Sequence, residues 1–294
     1  MKAIWIEDAG GAIECGRNDV AALVTLEQLD THLFRNRLNH RNMNGSLFGG
    51  QVLSQALAAA AATVEDRPVH SLHGYFLRAG ETGRSVFYQV EATRDGRSFS
   101  TRRVTAVQRG RPIFHMECSF HAEEPGYEHQ VAAADVAEPG ALRDTVSLMR
   151  DDPRVAPERI ERSDWPVEVR PVDPETLFRV GDGSCERRWM RLSERVESDD
   201  RALHAQLLAY LSDFGLAGAS LARHEVPVEP VKVFIASIDH AMWFHRPARA
   251  DEWLLFEYDS PSASGGTGFS RGLIFDEAGR LVASTAQESL QRFR

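Results

Sequence analysis

Four segments of the chain, 69–77, 85–93, 97–108 and 112–121, are separated by the turn signals Ala79-Gly80, Asp95-Gly96 and Arg109-Gly-Arg-Pro. Short runs bounded in this way predict strands. Before them, residues 49–63 carry Gly, Ala or Ser at most positions, with Val52, Leu53 and Leu57 between. That stretch reads as a helix whose small side chains imply a closely packed neighbour. A second series follows. A strand is predicted over 186–194, and Asp199 or Asp200 can N-cap a helix starting at Arg201. In that helix Leu203, Leu207, Tyr210, Phe214, Ala217 and Leu221 recur at helical spacing as a buried stripe. Strands are predicted near 231–244, 252–260, 267–276 and 280–291. A short helical pattern is also expected around Asp19 to Phe34, and another near 140–151. Helix followed by antiparallel strands, without βαβ alternation, is an α+β pattern.

The two series are copies. Val69-His-Ser-Leu-His-Gly-Tyr-Phe-Leu-Arg is echoed by Ser237-Ile-Asp-His-Ala-Met-Trp-Phe-His-Arg, so that Phe76 matches Phe244 and Arg78 matches Arg246. Further on, Phe99 matches Phe269 and Arg111 matches Arg280. Repeats of this length mean a duplicated domain, since solenoid repeats are shorter. The expected domains are 1–125 and 185–294, joined by a Pro- and charge-rich linker over 126–184 that crosses the surface. The copies differ in polar residues. Val69 stands opposite Ser237, Cys118 opposite Gln287, and the first helix carries no carboxylate. The second copy is therefore expected to do the chemistry.

Composition narrows the class. Of 294 residues, 43% are hydrophobic and 26% charged, which fits a soluble globular protein. A formal net charge of −9 argues against a nucleic-acid partner. No apolar run is long enough for a membrane span. The first residues lack the pattern of a signal peptide, and Gln291-Arg-Phe-Arg is not a Ser-Lys-Leu address. Cys15, Cys118 and Cys185 are widely spaced and suggest no disulfide framework. The expectation is a cytoplasmic protein.

Several long motifs occur in a telling order: Phe48-Gly-Gly-Gln-Val-Leu-Ser-Gln-Ala-Leu, His70-Ser-Leu-His-Gly-Tyr-Phe-Leu-Arg, Arg94-Asp-Gly-Arg-Ser-Phe-Ser, and Ile238-Asp-His-Ala-Met-Trp-Phe-His-Arg-Pro. In these the chain resembles the acyl-CoA thioesterase II family from about Leu33 to the C-terminus, with the linker fitting least. The resemblance implies a double hotdog, in which each antiparallel sheet wraps a long central helix and the two sheets join side by side. It implies hydrolysis of fatty acyl-CoA to a free acid and coenzyme A, with no cofactor and no metal. It also implies a catalytic trio, which falls on Asp213 in Tyr210-Leu-Ser-Asp-Phe, Ser237 in Ile235-Ala-Ser-Ile-Asp, and Gln287 in Ser284-Thr-Ala-Gln-Glu. Ser237 departs from the threonine of the bacterial type member, keeping the hydroxyl and losing the methyl that restricts its rotamer. A homodimer or homotetramer is expected by analogy.

These residue types suit thioester hydrolysis, which needs an activated water and a stabilised oxyanion. Asp213, read as a mid-helix residue beside the apolar stripe, would be desolvated and more basic. Ser237 can donate to the carboxylate or the water, and Gln287 has both a donor and an acceptor to orient it. Alternation along a regular strand puts Ser237 and Asp239 on one face and His240 on the other, which counts against a Ser237-Asp239-His240 triad. His240 and His73 are expected to hold strand ends or the tunnel wall. Gly218-Ala-Ser-Leu-Ala lacks the last glycine of a nucleophile elbow. His121 and His129 lack metal-ligand spacing. Cys118 reads as inert core.

The expected substrate-binding set is Gly49, Gly50, His73, Tyr75, Arg97, Arg102 and Trp243. Gly49 and Gly50 also read as a close-packing device. Tyr75, Phe76, Trp243 and Phe244 are expected to set tunnel depth. Some of Arg94, Arg97, Arg102, Arg103, Arg109 and Arg111 are expected to hold CoA phosphates. Alternation would split Arg102 and Arg103 between faces. Two rival readings are a hotdog enoyl-CoA hydratase and a non-catalytic acyl-CoA-binding module.

Overall fold

The structure, a computed structural model, describes residues 6–8, 11–12, 20–153, 155, 166–177, 185–222, 224 and 233–293. Cys15, the linker stretches 156–165 and 178–184, and the first two residues of the strand expected over 231–244 lie outside them.

A small sheet joins β1 (Ile6–Asp8), β2 (Gly11–Ala12) and β5 (Leu38–His40). The main sheet has 13 antiparallel strands. Its N-terminal half contains β3 (Leu26–Asp30), β4 (Leu33–Asn36), β6 (Val69–Phe76), β7 (Phe87–Asp95), β8 (Phe99–Gln108) and β9 (Arg111–His121), in the order β6-β9-β8-β7-β4-β3. Its C-terminal half contains β10 (Val167–Pro171), β11 (Glu186–Leu192), β12 (Val233–Ser237), β13 (Asp239–Phe244), β14 (Leu254–Ser264), β15 (Thr267–Asp276) and β16 (Leu281–Phe293). Their order, β13-β16-β15-β14-β11-β10, repeats that of the first half, with β12 also on β16. The helix expected from Asp19 to Phe34 is instead α1 (Val20–Val24) followed by β3 and β4. Pairing of β4 with β7 at the sheet edge overrides the local helical pattern there.

The halves meet through β6 and β13, where His73 pairs with Ala241. Aligning Phe76 with Phe244 makes these two residues equivalent as well. The internal two-fold therefore passes between them. This is the double hotdog, α+β arrangement expected from the motifs. The central helices, α2 (Gly49–Ala61) and α4 (Arg201–Ser212), lie antiparallel against each other inside the curved sheet. The small residues of α2 permit this approach. A Cβ on Gly50 would sit 2.7 Å from the Tyr210 carbonyl oxygen, and Ser54 Oγ donates to the Gln206 carbonyl at 2.7 Å. Asp200 N-caps α4, accepting from the Ala202 N–H at 2.9 Å.

The linker is tied to the second half by hydrogen bonds. Gln130 donates to the Gly279 carbonyl and accepts from the Leu281 N–H, and Trp189 donates to the Ala137 carbonyl. It then forms α3 (Thr145–Asp151), capped by Asp144, which packs against β10.

Candidate active site

α4 ends one residue before its most polar neighbour. Asp213 is its C-cap, and Gly215, at φ +86°, turns the chain before the short α5 (Leu216–Ala219). Sequence periodicity ran straight through this break, so the mid-helix placement of Asp213 is corrected to a helix end. Glycine stops the helix by adopting the left-handed conformation that other residues resist.

The Asp213 carboxylate is buried and points at the first turn of α2. A Cβ on Gly49 would lie 2.8 Å from Oδ2. Phe48, Tyr210 and Phe214 pack around it, with ring centroids 4.7 Å apart for Phe48–Phe214 and 5.4 Å for Phe48–Tyr210. Burial among these rings pushes the Asp213 carboxyl up from 3.8 to about 7, although the Gly50 N–H and the Ser237 hydroxyl both favour the charged form. Oδ1 is buried with no hydrogen-bond partner among the described residues.

Ser237 and Gln287 arrive from β12 and β16. Gln287 Nε2 donates to Ser237 Oγ at 2.7 Å. His240 joins them: its Nδ1 lies 2.6 Å from Gln287 Oε1 and 4.0 Å from Asp213 Oδ1, and its Nε2 lies 2.9 Å from Ser212 Oγ. The expected facing of this segment is thus reversed. Ser237 pairs with Ser289, whereas Ala241 pairs with Ala286, so one extra residue is accommodated at Ile238 and Asp239. This β-bulge turns His240 inward with Ser237. Asp239 turns outward, where Oδ1 accepts the Glu288 N–H and Oδ2 lies 2.9 Å from His73 Nε2. Burial pushes the His240 imidazole down to about 4.

Gly49, Asp213 and Ser237 line a cavity of about 1050 Å³. Its apolar wall comes from both halves and the linker, including Phe76, Phe114, Val146, Met149, Phe214 and Phe234. Arg78 lines it and is itself exposed, at the rim. Gly50 stands beside the site through its N–H. The other expected binding residues stand elsewhere. His73, Tyr75 and Trp243 project from the outer face of the sheet, and Arg97 is exposed away from the cavity. Arg102 is buried and spends its guanidinium on Thr63 Oγ1, the carbonyls of Thr63, Arg94 and Thr101, and Asp95. It closes the C-terminal end of α2, the end that corresponds by the internal two-fold to the end of α4 bearing Asp213. Arg103 faces outward to Glu117, as strand alternation requires. Ser212, Arg78 and the α3 wall were missed by sequence reasoning, and His240, expected at a strand end or the tunnel wall, instead bonds Gln287 and Ser212. The equivalence of Arg78 and Arg246 was a signal for one of them. Among the described residues, no cluster of three or more His, Cys, Asp or Glu could hold a metal ion, and no helix is long and apolar enough to cross a membrane.

The fold is a two-part hotdog with one polar constellation at the junction of its central helices. The acyl-CoA thioesterase N-terminal domain matches residues 39–121, and the acyl-CoA thioesterase C-terminal domain matches residues 130–291. Acyl-coenzyme A thioesterase 8 of Homo sapiens is 39% identical over 287 residues, covering 94% of this chain and 89% of the relative. Acyl-CoA thioesterase 2 of Haemophilus influenzae is 35% identical over 281 residues, covering 94% and 98%. The crystal structure of acyl-CoA thioesterase II TesB2 from Mycobacterium marinum superposes with a TM-score of 0.76 at 38% identity, covering 93% of this chain and 96% of that one. The chain belongs to the acyl-CoA thioesterase family.

Proposed function

We propose that the protein hydrolyses fatty acyl-CoA to a free acid and coenzyme A, using a water activated by Asp213 with Ser237 and Gln287 as its partners. The observation that carries this reading is the junction itself: a buried carboxylate whose Oδ1 has no hydrogen-bond partner among the described residues, opening on a largely apolar cavity, beside a linked alcohol and amide.

Ionised Asp213 takes a proton from water as the oxygen attacks the thioester carbonyl carbon. The carbonyl oxygen becomes an oxyanion. The N-cap residue Phe48 makes no side-chain bond to α2 and the Gly50 N–H goes to Asp213, so the remaining first-turn N–H groups are the donors left to stabilise that charge. Collapse breaks the C–S bond, and the thiolate recovers the proton from Asp213. The amide of Gln287 holds Ser237, whose hydroxyl steadies the carboxylate and the water. The acyl chain lies among the apolar residues of the cavity, and Arg78 at its rim is the arginine placed to meet the anionic end of the substrate. Hydration of an enoyl-CoA is not favoured, because both nitrogens of His240 are already engaged.

Free thiol release from acyl-CoAs of graded chain length tests the proposal. Release that disappears in Asp213→Asn while acyl-CoA still binds supports it. Binding without release by the wild type would leave the chain a binding module.

A further inference from the structure

We infer that His240 is a positioning residue, which by donating Nδ1–H to Gln287 fixes which end of that amide faces Ser237 and so directs the Ser237 hydrogen at Asp213. The inference rests on the hydrolytic reading above and adds a residue to it.

The geometry is a chain of short contacts: Ser212 Oγ to His240 Nε2 at 2.9 Å, His240 Nδ1 to Gln287 Oε1 at 2.6 Å, and Gln287 Nε2 to Ser237 Oγ at 2.7 Å. Every member except Ser237 is buried. Donors and acceptors must alternate along such a chain, and a neutral imidazole supplies one of each. Two polarities are therefore possible. In the first, Ser212 donates to Nε2, Nδ1–H donates to Gln287, the amide N–H donates to Ser237, and Ser237 donates to the carboxylate. In the second, Ser212 donates to the Ala209 carbonyl, which is 2.8 Å away, and Nε2–H donates to Ser212. The Gln287 amide is then flipped, and the Ser237 hydrogen is drawn to its oxygen and away from Asp213.

The ends decide between them. The second polarity gains a neutral bond to Ala209. The first gains a bond to an ionised carboxylate, and charge-assisted hydrogen bonds are roughly twice as strong as neutral ones. The amide orientation in the structure is that of the first. The β-bulge at Ile238 and Asp239 is what brings His240 to this place, since a regular strand would turn it outward.

Other groups around the site leave the assignment clean. Tyr258 on β14 donates to the Phe214 carbonyl, Arg188 on β11 lies over the Tyr258 ring, and Tyr210 on α4 bonds His40. Burial drives both tyrosines further above neutrality, and the guanidinium stays charged. Burial also holds His40 down at about 3. His73 and Asp239 pair on the outer face.

The test uses two substitutions and one spectrum. In His240→Asn the amide N–H overlays the imidazole Nδ1–H, so donation to Gln287 survives. In His240→Gln the amide overlays Nε2 and that donor is lost. The expected result is a kcat for His240→Gln lower by about 10–100-fold, the usual scale for a supporting contact. Its KM should be unchanged and the acid limb of its pH–kcat profile moved upward, because Asp213 loses the Ser237 bond. His240→Asn should keep wild-type kcat within a few-fold and the wild-type limb. Equal losses in both variants with an unmoved limb would mean a merely structural role and overturn the inference. The ¹⁵N imidazole spectrum of the wild type at pH 8, assigned by difference with His240→Gln, reads the tautomer without any turnover. A protonated Nδ1 supports the inference, and a protonated Nε2 overturns it even if the protein hydrolyses no thioester.

Discussion

Gly49 has no side chain because the Asp213 carboxylate occupies the space: a Cβ there would lie 2.8 Å from Oδ2 and 3.1 Å from the Phe76 ring. The first helix of one half thus yields its first-turn surface to the acid of the other half. The surroundings of the carboxylate are therefore built from both halves. Gly49→Ala is expected to fold, since the clash is with a side chain at a cavity wall, and to displace the carboxylate. A misplacement of about 1 Å costs on the order of 10²-fold in kcat. Steady-state kinetics with a mid-length acyl-CoA would check this, and a kcat within two-fold of wild type would show that the carboxylate need not sit at the α2 terminus.

Activity should fall on the acid side of neutrality. In the proposed mechanism Asp213 acts as the ionised form, and burial holds its pKa at about 7. The pH–kcat profile is therefore expected to rise through an apparent pKa near 7, well above the ordinary aspartate value. A flat profile from pH 5 to 8 would remove Asp213 as the base.

The same burial carries a stability cost with a definite sign. The folded-state pKa is raised, so the folded chain binds a proton that the unfolded chain releases between 3.8 and about 7. Stability falls as pH rises through that window and stays low above it. A rise of this size corresponds to roughly 4 kcal/mol. Asp213→Asn removes the loss. Its Tm should exceed that of the wild type at pH 8, and the gain should shrink at pH 4.5, while kcat drops by about 10²–10⁴-fold. A variant less stable than wild type at pH 8 would contradict the burial argument.

Much of this was legible in the chain. The duplication, the two central helices and most strand positions followed from repeats, helical spacing and turn residues, and the double hotdog from the motif resemblance. Asp213, Ser237 and Gln287 were legible as a set through motif resemblance, and the structure brings them to one junction. What escaped has a common cause. The end of α4 at Asp213 depends on the φ of Gly215, and the inward turn of His240 depends on one extra residue at Ile238 and Asp239. Neither leaves a mark in hydrophobic spacing. His73, Tyr75 and Trp243 were placed toward the substrate because aromatic and imidazole side chains suggest a binding wall, but strand alternation turns them to the outer face.

Arg102 and Arg78 separate packing from binding. The Arg102 guanidinium is fully used at the C-terminal end of α2, whereas Arg78 gives one contact to the Pro112 carbonyl and remains exposed at the cavity rim. Arg102→Ala takes the donor away from the half-buried Thr63 acceptors and should lower Tm with kcat and KM unchanged. Arg78→Ala removes a cation where the anionic end of the substrate would enter. It should raise KM for acyl-CoA several-fold, more at low salt than at high, with little change in Tm. Measuring KM at two ionic strengths beside thermal melts of both variants distinguishes the roles. A raised KM in Arg102→Ala with unaltered Tm would return that residue to the phosphate-binding set, since a side chain holding a helix end cannot be removed without cost to the fold.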